Sequence, residues 1–563
     1  MSNKTNNKAD HLEVDEEEPL LVPARRFCSK HRVLFVIGLG AALCLFSLYY
    51  YSTFSLTNSL SNNKNTERPI VIDTTKCHPV ELPKGARATN CCPPKPVSKS
   101  NVIDFKLPRP SSLTTGLRIR RAAHLLDDAQ LAKYRKAVEL MKALPDDDPR
   151  SFKQQANVHC AYCYGAYSNG KNDYDPRINV HRSWLFFPFH RFYLYFHERI
   201  MGKLLNDTTF ALPFWNWDSL EGMQMPQIFT DQNSSLYDKY RNLNHQPPKL
   251  IDLEFNNMDP NITDQQQLLI NLNIMYRQMV SNSKTASLFL GAPYRAGDEP
   301  MPGPGTIELV PHNSIHRWNG DTRTPNREDM GVFYSAARDP IFYPHHSNID
   351  RLWDIWKTSG GKNRHDFDET DWLNASFEFY DENAELVRVK VKDSLDHTNL
   401  GYDYEKVDIP WLAAKPTPRK IELKLMNKTM KFPKVLSTKF SSVVKRPGKS
   451  RSKKEKEEEE EILIVEMIEL EMTDEFVKFD VYVNDAVDSE SGPNKTEFAG
   501  SFVNLPHAYV HKGGTNYRTS LFRVGITELM EELEVDNDDT LMVTLVPKSG
   551  IVTIGGIKIE YGS

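Results

Sequence analysis

Nine of the 17 histidines in this 563-residue chain fall between His159 and His346, and all of these but His245 gather in two groups. In the first, His181 and His190 stand nine residues apart in HRSWLFFPFHRFYLYFHE, with His159 upstream. In the second, His312 and His316 are four residues apart, on one face of a helix, and His345-His346 follows in DPIFYPHHSNID. A single histidine is more often a hydrogen-bonded core or surface residue than a metal ligand. Eight in two such groups require a fold that brings two sets of imidazoles together, and they point to two neutral-nitrogen metal sites. His197 and His345 are the bystanders when each set is taken as three.

The spacing narrows the metal. His312 and His316 have zincin spacing, but Asn313 follows the first of them where a metalloprotease carries its glutamate base. Di-iron bundles take several carboxylates and Glu-x-x-His pairs, which are missing here. Imidazole suits copper well, and two adjacent coppers can bind dioxygen between them.

The amino-terminal residues have a different texture. An acidic run, Asp15 to Glu18, precedes a basic cluster of Arg25, Arg26, Lys30, His31 and Arg32, after which residues 33–51, VLFVIGLGAALCLFSLYYY, carry no charge. Nineteen residues in a helix span about 28 Å, close to the hydrocarbon thickness of a bilayer. Three terminal tyrosines and cations confined to the amino-terminal side predict a cytosolic tail at 1–32, a transmembrane signal anchor at 33–51 and a Ser/Asn/Thr-rich stem at 52–68. A cleaved signal peptide is the main rival, but the apolar run is long for one and no small-x-small cleavage site follows it. A buried core helix and a twin-arginine signal at Arg25-Arg26 are weaker alternatives. An organellar transit peptide should be acid-poor, which this tail is not. The Glu16 to Leu21 segment resembles an acidic dileucine sorting signal. Together these features predict a secretory route to the vacuole with the remainder of the chain in the lumen. Sequons at Asn206, Asn233, Asn261, Asn374, Asn427 and Asn494 make glycosylation there possible in sequence terms. With 70 basic and 75 acidic residues of mixed order, the chain has no basic field for nucleic acid.

From 69 to 415 the chain reads as helices joined by long proline-containing loops, with helical spacing at 131–144 and 191–205. Residues 416–461 read as a linker that includes the charge block KRPGKSRSKKEKEEEEE, solvated and protease-sensitive. From 462 to 563, short β-branched runs at 462–468, 476–483, 541–546 and 551–559 predict an all-β sandwich. The fold class is therefore a mainly α domain followed by a β-sandwich domain.

His181, Phe186, Phe189-His190-Arg191, Leu194 and Glu198, and then Asp339-Pro340-Ile341-Phe342-Tyr343, His346 and Asp350, resemble the two copper motifs of the tyrosinase and polyphenol oxidase family. Asp371-Trp372-Leu373, Tyr402-Asp403-Tyr404 and Lys478-Phe479-Asp480-Val481 extend the resemblance to the plant polyphenol oxidases, from about residue 77 to the end. It implies a four-helix bundle holding a type-3 dicopper centre, with His159, His181 and His190 on one copper and His312, His316 and His346 on the other. It also implies a sandwich that covers the mouth until an activating protease removes it. The implied activity is oxidation of o-diphenols to o-quinones by O2, with some hydroxylation of monophenols. An oxygen carrier of the hemocyanin kind and a specialised phenol-biosynthetic hydroxylase are the alternatives.

The same resemblance assigns Glu308 and Asn313 to polarising a water into a base for monophenols, while Phe333 lies over the site and Arg317 near its mouth. Asp350 could orient a ligand, or pair with Arg351 or Arg338. Cys160-Ala161-Tyr162-Cys163 is ambiguous on spacing alone, and the five cysteines beyond the apolar run are an odd number. The family pairs Cys77 with Cys92 and Cys91 with Cys160, and bonds Cys163 to the His181 ring through a thioether. In localisation the acid-rich tail departs from the plastid transit peptide common in the family, for which the thylakoid lumen is the alternative destination.

Overall fold

A computed structural model describes residues 68–94, 102–108, 116–170, 176–255, 262–416, 429–471, 475–485, 492–506 and 517–562. The tail, apolar run and stem expected at 1–67 lie outside them, as do Asn261 and Asn427. Among the described residues no helix is long and apolar enough to cross a membrane.

The region before residue 416 is mainly helical. Helix α1 (Asp128–Ala143) opens on a capping box between Asp127 and Gln130, and α2 (Phe152–Cys163) on the Ser151 hydroxyl. Helix α3 (Phe186–Leu205) is apolar on nearly every face and buried along most of its length, as a helix at the centre of a bundle must be. It ends where Asn206 turns into the left-handed region with φ 53°. Helix α4 (Asp264–Tyr276) follows a Thr263–Gln266 capping box. The short α5 (Ser314–Asn319) continues a wider turn at Glu308–Asn313, and α6 (Phe342–Thr358) packs against α3. The spacing at 131–144 and 191–205 thus marks α1 and α3, each starting a few residues earlier than periodicity suggests.

Small sheets brace the helices. Strands β1 (Ile103–Asp104), β3 (Ser376–Tyr380) and β4 (Leu386–Lys390) form one, in the order β1-β4-β3. Strands β2 (Arg118–Arg120) and β5 (Tyr402–Tyr404) pair in parallel. Two disulfides brace the segment before β1: Cys77–Cys92 closes a loop within it, and Cys91–Cys160 ties it to α2.

Eight further strands make two four-stranded sheets: β6 (Lys434–Leu436), β7 (Phe440–Lys445), β8 (Glu460–Glu471), β9 (Val477–Val483), β10 (Phe498–Asn504), β11 (Tyr517–Gly525), β12 (Thr540–Ser549) and β13 (Val552–Gly562). Their orders are β10-β9-β12-β7 and β11-β8-β13-β6. The linker expected over 416–461 is therefore too long. Residues 434–445 are already sandwich, with Phe440, Ser442 and Val444 pointing inward. A serine at an inward position hides the alternation that would have announced the strand. The charge block is an excursion between β7 and β8. Its middle forms helix α7 (Lys453–Glu458), with no buried residue and a Ser452–Glu455 capping box, while Glu461 at its end is buried against Arg446 at 2.8 Å.

One ionic knot fixes α3 to α6. Asp350, one turn beyond His346, accepts from Arg191 at 2.5 Å, Arg120 at 3.3 Å, Tyr402 at 2.6 Å and Tyr404 at 2.5 Å. It pairs with neither Arg351, which turns to Asp218 at 3.1 Å, nor Arg338. Glu198, two turns along α3 from Arg191, takes Arg118 at 2.9 Å and Arg120 at 2.8 Å. Burial opposes the Asp350 charge, but Arg191, Arg120 and the two tyrosines overcome it and hold the carboxyl at about 2. Because the folded value lies below the unfolded one, this carboxylate stabilises the fold fully above about pH 4, and the contribution is lost as pH falls toward 2. Asp350→Ala leaves two buried guanidinium groups short of a partner and is expected to cost about 3–5 kcal/mol. Thermal melting at neutral pH checks this, and the difference from wild type should shrink toward pH 2.

Candidate dimetal centre

The structure brings the two histidine groups together in the helical core. His159 and Cys163 lie on α2, His190 on the first turns of α3 and His181 on the loop before it. Each offers a ligand atom, and these four atoms all lie within 4.8 Å of one another. The same holds for His312 and His316, from the wide turn and α5, with His345 and His346 on α6. Both groups are fully buried. Rings of the two groups touch, with His190 stacked on His346 at 4.2 Å and His181 facing His312 at 5.6 Å.

Backbone carbonyls orient the rings. The Nδ1 atom lies 2.8 Å from the Phe333 oxygen in His159, 2.7 Å from that of Phe186 in His190 and 2.8 Å from that of Met330 in His316. His312 Nδ1 reaches the Glu308 carbonyl at 3.2 Å and Asn313 Oδ1 at 3.0 Å. A carbonyl oxygen can only accept, so Nδ1 carries the proton and Nε2 presents its lone pair inward. Among the described residues, Nε2 of His190 and of His312 has no hydrogen-bond partner, and the Nε2 atoms of His316 and His346 face each other at 3.4 Å. Burial pushes His190 down to about 3 and His316 to about 4, and His312 and His346 well below the usual range, so the rings are neutral. Buried, neutral nitrogens aimed at one another are costly without a shared cation, and two soft-to-borderline ions such as copper fit them.

His197 stays outside both groups, stacked on Tyr343 at 3.6 Å. His345, set aside as a bystander on sequence, lies within the second group and stacks on His312 at 5.4 Å. Adjacent residues on a helix usually diverge by about 100°, so nothing in the spacing announced this.

Other expected residues lie close to the two groups in sequence or space. Phe333 lies flat on His181, with ring centres 4.0 Å apart and 5° between planes. Cys163 is the one free cysteine among the described residues; burial, with Glu308 nearby, pushes its thiol up. Glu308 is buried, and burial raises its carboxyl to about 8 against the pull of the Arg182 N–H on Oε1, while Oε2 has no hydrogen-bond partner among the described residues. Asn313 donates Nδ2 to the Val503 carbonyl of β10 at 3.0 Å. Arg317 lies 4.5 Å from the Phe476 ring, and burial beside Arg327 lowers its pKa to about 9. The sandwich therefore sits directly on the site. Asn206, Asn233 and Asn494 are exposed and Asn374 is half-buried.

Comparison with known proteins agrees with this geometry. Residues 149–359 match the common central domain of tyrosinase, 366–417 the polyphenol oxidase middle domain and 432–561 the chloroplastic polyphenol oxidase C-terminal domain. The chain is 58% identical over 511 residues to "Polyphenol oxidase, chloroplastic" of Malus domestica, covering 87% of this chain and 84% of that one. A structure of latent aurone synthase (polyphenol oxidase) from natural source superposes with a TM-score of 0.82 at 40% identity, over 88% of this chain and 99% of that one. Grenache (Vitis vinifera) polyphenol oxidase, 55% identical, covers 61% of this chain and 99% of its own, with a TM-score of 0.58. The buried imidazole groups, the sandwich seated on them and these matches together make the chain a copper oxidoreductase of the tyrosinase and plant polyphenol oxidase family.

Proposed function

We propose that the chain oxidises o-diphenols to o-quinones with dioxygen as acceptor, two diphenols and one O2 giving two quinones and two waters. The observation that carries this is the convergence of inward Nε2 atoms from two buried histidine groups onto one small space. Two copper ions bound there supply the electron transfer between diphenol and dioxygen. The first is assigned to His159, His181 and His190, the second to His312, His316 and His346. The 3.4 Å approach of His346 to His316 favours His346 over its neighbour His345. Carbonyl-anchored Nδ1 atoms hold the rings in register, so the site needs little rearrangement to bind metal.

Phe333 roofs His181 and limits what a phenol ring can stack on. A monophenol must first lose a proton whose pKa is near 10. Glu308, with one oxygen unsatisfied, and Asn313 beside His312 are placed to hold a water that takes it, so monophenol hydroxylation accompanies diphenol oxidation. Cys163, outside the disulfides and within reach of the His181 ring, supports the thioether. The sandwich keeps the site latent until a protease cuts between the domains, a reading supported by the Asn313–Val503 contact and the latent relative. That relative is an aurone synthase, which also supports a substrate range narrower than phenols at large.

For the destination, the relative named chloroplastic supports the plastid lumen, whereas the acid-rich tail and the apolar run at 33–51 support a membrane-anchored secretory route with glycans at the exposed sequons. A mature amino terminus near residue 70 in plastids is the expected result. An endoglycosidase mobility shift of the native protein would instead place it in the secretory lumen.

Copper-loaded, protease-trimmed protein is expected to turn over catechol; reversible oxygen binding without quinone formation would make it a carrier. Glu308→Gln should lower monophenol turnover about 100-fold while changing diphenol turnover far less, as initial rates on a matched pair of substrates will read. His312→Ala should retain about half of the bound copper by elemental analysis. A peptide joining Cys163 to His181, two hydrogens lighter than its parts and resistant to reductant, is expected by mass spectrometry. Cys163→Ser should lack it.

A further inference from the structure

One part of the boundary between the helical region and the sandwich sorts charge by sign. Helix α8 (Thr527–Glu532), between β11 and β12, presents Glu528 and Glu532 to the end of α4. Tyr276, the last residue of α4, donates its hydroxyl to Glu528 Oε1 at 2.6 Å. Lys284 lies 3.6 Å from Glu528 Oε2 and 3.9 Å from Glu460 Oε2. Lys415 lies 3.0 Å from Glu528 Oε1 and 3.5 Å from Glu532 Oε1. The buried Arg277 guanidinium sits 3.6 Å from Glu532 Oε2 and donates to the Thr496 carbonyl at 2.9 Å. Among the described residues, every ion pair of Glu460, Glu528 and Glu532 runs to a cation of the helical region.

Neutral contacts run alongside. Asn282 bridges both sheets, donating Nδ2 to the Ala499 carbonyl of β10 at 2.8 Å and accepting the Gly525 N–H of β11 on its own carbonyl at 3.2 Å. Leu288 packs with Ile462 and Ile464 of β8. Arg364 holds the Met279 and Val280 carbonyls at 2.6 and 2.7 Å, in the field of Glu528 and Glu460. An isolated surface ion pair contributes little, but here three carboxylates share three cations, and Glu460, Glu532 and Arg277 are nearly out of water. A buried charge that loses its partner is left uncompensated, so the two faces specify each other.

The middle-domain match ends at residue 417 and the C-terminal-domain match begins at 432. A cut between them leaves Arg277, Lys284 and Lys415 on one fragment and α8 and β8 on the other. It removes the high effective concentration that a linker provides, but none of the contacts above. We propose that the basic face of Arg277, Lys284 and Lys415 is a docking site for α8 in its own right, so that the severed sandwich stays bound as a dissociable subunit and ionic strength sets its release. Cutting and uncovering are then two separate steps. The consequence for activity rests on the latency described above, whereas the docking itself does not.

The test takes the full chain with a single protease site inserted between residues 417 and 432, cuts it, and reads particle mass by light scattering on a sizing column, without substrate. At about 0.1 M salt one particle of the intact mass is expected. At about 1 M, where the screening length falls from about 10 Å to about 3 Å, two fragments are expected. Lys415→Glu, a change at an exposed side chain, should lower the salt concentration at which the cut particle separates severalfold. Two fragments already at about 0.1 M salt overturn the inference. A cut particle that survives about 1 M salt overturns it too, because packing and not charge then holds the sandwich. A Lys415→Glu protein that separates at the wild-type salt concentration does the same. Fragments that separate as expected yet oxidise no catechol overturn the diphenol oxidase reading alone.

Discussion

A buried carboxylate beneath the metal centre sets the position of the helices that bear its ligands. Asp350 on α6 and Arg191 on α3 are each close in sequence to a histidine of the site, His346 and His190, and they grip each other directly. Arg120 extends the grip to Glu198 further along α3, and the tyrosines of β5 close it from the other side. Burying this many charges is expensive, and hydrophobic packing of the same volume would hold the helices at least as firmly. What charges add is directional geometry. A guanidinium shared between two carboxylates tolerates little rotation or sliding, and His190 beside Arg191 and His346 one turn before Asp350 inherit that register.

With the charges gathered beneath, the face toward the metals can be uniformly neutral. Four of its imidazoles, those of His159, His190, His312 and His316, are oriented by main-chain oxygens, which cannot change protonation and move only if the fold moves. The sandwich adds a second layer of control, because β10 bonds to Asn313, whose side-chain oxygen meets the His312 ring. Cover and ligand orientation are therefore mechanically linked.

The histidine pattern was plain in the sequence because metal ligation forces specific residue types into fixed spacings, and α1 and α3 were plain because a helix that buries one face must repeat. Partners remote in sequence left no such trace. Asp350 invites pairing with the nearby Arg351 or Arg338, yet its partners are Arg191, Arg120, Tyr402 and Tyr404, brought in by the β2–β5 pairing and the packing of α3 on α6. Strands β8, β9, β12 and β13 announce themselves by unbroken β-branched runs. Strands β7, β10 and β11 carry serines and glycine among their inward or paired positions, and no unbroken run marks them. His345 gained its place from geometry that one-dimensional spacing does not encode.

The lysine-and-glutamate excursion between β7 and β8 has a consequence for anyone following activation on a gel. A protease that nicks α7 separates β6 and β7 from the rest of the sandwich in covalent terms only. Strand β7 stays zipped to β12, and β6 to β13, on the far side of the cut. Under denaturing electrophoresis such a chain falls apart into two bands, while in native solution it keeps its lid.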